Sequence, residues 1–217
     1  MPRGCRILVA SLVIGISSAV FAQTQTASPH HTVREWLERE HQFLRRYLAV
    51  VQQATHDYAY EYKTPALLMP VAMDLFTGYV AYLHDAEERF LYPVLRAHMT
   101  PEQQRDLSLI ETDEQEESGT VKGWQQDLVQ YDAGRKKLTQ VADTIDYLGR
   151  MINRHLVLQE QHVFPILDAL TPKEQSAILS DIDQFERDTL GASGRVRHEE
   201  LLSGIEGQIK AIAGRIW

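Results

Sequence analysis

Cysteine is almost missing: the chain has 217 residues and one Cys, at position 5. That excludes an internal disulfide framework and any centre built from several thiolates. Glycine and proline are sparse, at 12 and 8 residues, too few for a loop-rich all-β chain. Positive charge is also short, with 22 Lys and Arg against 30 Asp and Glu and a net charge of −8. General affinity for nucleic-acid phosphates or anionic lipid needs the opposite balance, so no nucleic acid is expected as a partner. No phosphate-cradling Gly loop and no nucleophile–base arrangement is visible. What the chain does have is histidine, nine of them. With so little cysteine, a metal here would be held by nitrogen and oxygen.

Apolar runs are confined to the start. Arg3 and Arg6 precede an uncharged stretch from Ile7 to Ala22 that closes on Val20-Phe21-Ala22. These are the parts of a secretory signal cleaved after Ala22. An uncleaved anchor needs about 20 apolar residues; this run is shorter and contains Ser and Gly. The expectation is an exported, periplasmic protein with no membrane attachment once residues 1–22 are removed. Cys5 leaves with the signal. Residues 23–31 read as a flexible segment, 32–170 as the folded bundle and 171–217 as a helical extension.

From Thr32 onward the apolar spacing is helical. Leu37, Leu44, Leu48 and Val51 mark one face of a first helix ending near Gln53, and a looser stretch follows to Pro70. Phe76, Tyr79, Leu83, Leu91 and Leu95 mark a second. Thr100-Pro101-Glu102-Gln103 supplies a cap, an N1 proline and a capping-box partner for a third. A fourth carries Leu138, Val141, Ile145, Leu148, Ile152 and Val163, and Thr171-Pro172-Lys173-Glu174 repeats the capping signature. The fold predicted is all-α, an up-down-up-down four-helix bundle with one or two further C-terminal helices. An internal echo supports paired hairpins: Glu88 through Leu91-Tyr92-Pro93 to a Thr100-Pro101 cap resembles Glu160 through Val163-Phe164-Pro165 to a Thr171-Pro172 cap, with the two Glu, and Pro93 and Pro165, each 72 residues apart.

Polar residues interrupt each apolar face. His41 stands between Leu37 and Leu44; His84 and Glu88 are i and i+4; His155 continues the face of Leu148 and Ile152, with Glu160 five residues on. The third helix carries Glu111, Asp113, Glu114, Glu116 and Glu117, of which Glu114 lies most centrally between Ile110 and Val121. Counting from the Thr100 and Thr171 turns puts these groups at one level. Taken singly, each has an ordinary explanation: a hydrogen-bonded core histidine, a surface pair, a solvated acidic face. Together they do not, because an unpaired buried carboxylate or imidazole costs several kcal/mol. A bound cation resolves this, and nitrogen with oxygen suits iron, manganese or zinc. His30, His31, His56 and His98 lie outside the layer and are expected in solvent, and His198 has no visible partner.

These residues resemble the hemerythrin-like, HHE cation-binding family. His41 is similar to the family's first-helix His. His84-Asp85-Ala86-Glu87-Glu88 with Leu91-Tyr92-Pro93 resembles its His-x3-Glu and Leu-Phe-Pro, and His155 to Glu160 with Val163-Phe164-Pro165 resembles its fourth-helix motif. The resemblance spans residues 32–170. It implies non-haem iron, two ions per chain, with manganese or zinc as alternatives, and a small ligand such as O2 or NO. It also implies His41, His84 and His155 as terminal ligands and Glu88 and Glu160 as bridging carboxylates.

One element departs from the family. No His lies between His98 and His155, so the third-helix histidine is absent and the substitute is one of Glu114, Glu111 and Glu117. Carboxylate in place of imidazole adds negative charge and stabilises the ferric state, which favours oxidation chemistry or plain metal binding over oxygen carriage. The roles this leaves are binding or sensing O2, NO or peroxide, or handling iron; whether the chain is an enzyme stays open. Two other readings compete: a ferritin-like carboxylate-rich oxidase, for which Glu38-Arg39-Glu40-His41 gives one Glu-x-x-His and no second, and a metal-free helical interaction module.

Overall fold

The structure is a computed structural model that describes residues 32–61, 68–191 and 194–213. The expected signal peptide and the segment at 23–31 lie outside the described residues. Those described are helical, with no strand among them.

α1 spans Val33–Glu61 and so runs on through part of the stretch expected to be looser. It starts on a reciprocal cap, in which Thr32 Oγ1 accepts from the Glu35 N–H at 3.1 Å and the Thr32 N–H donates to the Glu35 carboxylate at 3.2 Å. Leu37, Leu44, Leu48 and Val51 are all buried, as their spacing predicts.

The second rod is α2 (Leu68–Met73), a π-helical turn at Asp74–Tyr79, α3 (Val80–Ala86), a second π turn at Glu87–Leu91 and α4 (Tyr92–Arg96). The junctions keep helical dihedrals, so the rod continues through both wide turns. The second π turn has a local cause. Pro93 lacks an N–H, and its ring would crowd the carbonyl of Arg89 in a regular α-helix; a wider turn relieves both. This changes what faces inward. Leu83, Glu87, Leu91 and Leu95 recur every fourth residue, a spacing that drifts by about 40° per step in an α-helix. The wide turn takes up that drift and keeps all four buried.

α5 (Pro101–Asp132) and α6 (Leu138–His162) complete the bundle. The capping boxes expected at Thr100–Gln103 and Thr171–Glu174 are both formed, the latter opening α8 (Pro172–Leu190). Pro165 acts differently from Pro93: α6 stops at His162 and the chain restarts as the short α7 (Phe164–Leu167). α5 packs along α6, and α6 along α1.

The C-terminal helices are part of the same core. α8 lies against α3 and the second π turn, while α9 (Gly194–Ala213) lies against α1 and α2. Ile178, Leu179 and Ile182 of α8 and Leu202 and Ile205 of α9 join the continuous apolar cluster of the bundle. No helix among the described residues is long and apolar enough to cross a membrane.

Candidate metal centre

The middle of the bundle holds a buried layer of polar side chains: His84 and Glu87 from the second rod, Glu114 and Glu117 from α5, and His155 and Gln159 from α6. Tyr92 reaches into it from α4. His84 Nε2 lies 3.5 Å from Glu117 Oε2. His155 lies between two acids, with Nε2 3.6 Å from Glu114 Oε1 and Nδ1 3.8 Å from Glu117 Oε1. The His84 and His155 rings are 5.3 Å apart. Two sets of donor atoms converge to within 4.8 Å of one another: His84, Glu117 and His155, and Glu87, Glu114 and His155. His155 is common to both.

Charge is not balanced from within. Among the described residues no Lys or Arg ion-pairs with Glu87, Glu114 or Glu117, and burial leaves their carboxyl groups holding protons. Glu87 and Glu117 are pushed up to about 8 by burial, and Glu114 to about 9 by burial and then by the charge of Glu87. Burial depresses His84 to about 4, and His155 is lowered by burial and then by His84. The hydrogen bonds agree. The Tyr92 hydroxyl has one proton but faces Glu87 Oε2 at 3.0 Å and Glu114 Oε1 at 2.6 Å, so one carboxyl must bring its own. Several buried atoms have no hydrogen-bond partner at all: Glu87 Oε1, Glu114 Oε2, both oxygens of Glu117, and His155 Nδ1. Neutral imidazole nitrogens and carboxylate oxygens without a protein partner in a buried layer are what a transition-metal cation requires.

The structure brings together His84, Glu114 and His155 of the residues expected from sequence. It places the other three differently. Glu88 is exposed and Glu87 takes the inward position, because the π turn begins there. Glu160 lies about 140° around the helix from His155, five residues on at about 100° each. It turns toward α1, where Arg45 grips it at 2.7 and 2.9 Å. The inward position four residues from His155 belongs to Gln159. His41 is buried but faces Gln159 Oε1 (2.9 Å) and Glu160 Oε1 (3.0 Å), one side chain removed from the acids. Gln159 completes that link through Nε2, which contacts Glu87 at 2.7 Å and the Tyr92 hydroxyl at 2.6 Å.

Of the three alternatives on the third helix, Glu114 and Glu117 both face the layer, whereas Glu111 pairs with Arg96 nearer the periphery. The signal for Glu117 was its i+3 spacing from Glu114. The signal for Gln159 is its i+4 spacing from His155, but an amide is not an expected ligand. Two histidines also differ from expectation. His98 is half-buried against Glu174 at 3.0 Å. His198 is fully buried and paired with Asp74.

Fold and site together define a helical bundle with an interior imidazole–carboxylate cluster that could hold a cation. The hemerythrin HHE cation-binding domain model matches residues 32–167, and the chain belongs to that family. No curated protein and no solved structure matches the chain. The family implies a bound cation, typically iron, and small ligands such as O2 that reach it. The residues present fit such an ion: bare donor atoms of the right chemistry face one another where no Lys or Arg among the described residues forms an ion pair.

Proposed function

We propose that this chain is an exported iron protein that holds two ferrous ions side by side in the bundle and presents them to O2, NO or peroxide. The observation that carries the reading is the trio of buried carboxylates without a protein cation. Three carboxylates carry −3 against neutral imidazoles; two divalent ions come within one charge of cancelling this. His84, Glu117 and His155 hold one position. Glu87 and Glu114 would hold the other, with His41 standing behind Gln159. A neutral imidazole donates through one nitrogen, so His155 serves one position at a time. Bound iron supplies a reversible redox change and an open coordination position. The protein's part is to exclude water, to keep His84 and His155 neutral, and to hold a proton on Tyr92 between Glu87 and Glu114.

Three acids to two facing imidazoles favour the ferric state and hence oxidative handling of ligand over reversible carriage. Glu38 lies at the surface beside Arg34, its side chain 45% exposed, so the Glu-x-x-His pattern of a ferritin-like centre gains no ligand there. Export rests on the charged, apolar and small-residue order of residues 1–22. The test is metal analysis of protein isolated from its native compartment, with an optical spectrum after exposure to air. About two iron per chain with near-ultraviolet charge-transfer absorption is expected. Less than about half an equivalent of any transition metal refutes the reading. N-terminal sequencing beginning at Gln23 would establish the cleavage.

A further inference from the structure

A cavity of about 330 Å³ opens between the second rod and α5, and its floor is His84 and Glu114. Its walls are unusually low. Ala81 offers only a methyl group, and a Cβ added at Gly119 would meet nothing within 4 Å. Asp85 and Glu88 stand at the mouth on one side and Lys122 on the other. Asp85 is engaged by Arg89 at 3.3 Å, so Glu88 supplies the uncommitted negative charge. The opposite approach is covered: Phe164 packs on the His41 ring at 5.2 Å, and Arg45 closes over Glu160.

Glu114 makes this groove more than an acidic surface. It is 3% exposed, and its Oε2 has no hydrogen-bond partner. A buried bare oxygen therefore lies at the bottom of a passage whose top is an exposed carboxylate. A volume of about 330 Å³ has room for a divalent ion that carries about six waters. We propose that the groove is the path by which a hydrated divalent cation reaches the centre, with Glu88 capturing the ion and Glu114 receiving it as waters are shed. The proposal rests on the metal-binding reading above and gives Glu88 a role that needs no place in the final coordination sphere. A cation passing between the two carboxylates is attracted by both. Lys122 opposes capture.

Uptake of Co2+ by the metal-free full-length protein, followed by stopped-flow absorbance at low ionic strength, tests this. Glu88→Gln should slow uptake about threefold and Glu88→Lys tenfold or more, while Lys122→Gln speeds it. About 0.5 M salt should erase these differences. Final stoichiometry should be unchanged in all three. Gly119→Trp fills the passage and should slow uptake more than about tenfold; replacing a mid-helix glycine favours folding, and circular dichroism verifies it. Charge variants within twofold of the parent at low salt overturn the proposal. So does a lower end-point in Glu88→Gln, which would make Glu88 a permanent ligand. A parent protein that takes up no cobalt, iron or zinc defeats the metal reading itself, whereas full loading at unaltered rates defeats only the path.

Discussion

Glu40 and His41 are neighbours on α1, yet they serve two polar nests balanced in opposite ways. Glu40 is fully buried and accepts from Arg195 of α9 at 2.6 Å and from the Tyr79 hydroxyl. Beside it Asp74 is held by Arg197 at 2.8 Å, by the Tyr47 hydroxyl at 3.0 Å and by His198. Both of these acids meet an arginine of α9. His41 faces the other nest, where Glu87, Glu114 and Glu117 meet tyrosine, glutamine and neutral imidazole. The first arrangement fastens α9 to the bundle. The second is complete only when positive charge arrives from outside. Burial of polar groups therefore does not by itself mark a site; burial without an internal counter-charge does.

Matched substitutions should break this symmetry, with the largest effect in the closed nest. Glu40→Leu strands Arg195 in the interior and is expected to cost about 3–5 kcal/mol in urea unfolding, whether or not metal is present. Glu117→Leu in the metal-free protein removes an acid that has no ionic partner to strand. It should be neutral or stabilising by about 1–4 kcal/mol, while abolishing one cation position in metal analysis. Equal destabilisation by the two substitutions would refute the contrast. His155→Leu, which removes an imidazole from the position shared with His84 and Glu117, should likewise abolish that position in metal analysis.

The next largest effect is linked to pH. In the unfolded chain a glutamate titrates near about 4.3, whereas burial raises Glu87 and Glu117 to about 8 and Glu114 to about 9. Raised carboxyls contribute stability that is full below the unfolded value and lost as pH climbs to the folded one. His84, depressed to about 4, works in the other direction: its contribution is full above about 6.5 and lost as pH falls toward 4. Melting temperature of the metal-free protein should therefore be highest in mildly acid solution and fall steadily to pH 9. Saturating metal, at about a thousand times its Kd, adds roughly 4 kcal/mol and should flatten the alkaline side, since cations replace the protons. The closed nest fails at the acid end instead. Burial pushes Asp74 up, but its bonds to His198, Tyr47 and Arg197 leave it lowered overall, so its contribution is lost only at low pH. An alkaline slope that survives metal loading would contradict the assignment.

Much of this architecture was legible beforehand, for reasons that can be named. Thr100-Pro101 and Thr171-Pro172 fix helix starts because capping is local chemistry, decided within four residues. His84 and His155 are recognisable because a histidine on an apolar stripe has few explanations that survive repetition across several rods. Glu87 was not legible. Choosing it over Glu88 requires the widened turn, which depends on how Pro93 is accommodated once the helix is packed. Gln159 is hard to read for a different reason: an amide among expected ligands carries no charge signal, although its i+4 spacing from His155 is visible. The closed nest could not be foreseen at all, since Arg195 and Glu40 are brought together only by the docking of α9.

The smallest expected effect bears on the residue the helical phase moved furthest. Glu160 is held by Arg45 and His41, and its side chain is 34% exposed. Half-exposed ion pairs of this kind contribute under about 1 kcal/mol. Glu160→Gln keeps the size and one acceptor for His41, so unfolding should shift by less than that and metal content should stay unchanged. Gln159→Glu, one residue earlier, places a fourth carboxylate in the layer and should tighten metal binding about tenfold, while steepening the alkaline loss of stability in the metal-free protein. The pair of variants differs by a single step along one helix. If Glu160→Gln loses an ion and Gln159→Glu gains nothing, α6 presents Glu160 to the centre in solution, and the boundary between the coordinating layer and its surroundings lies one residue further along.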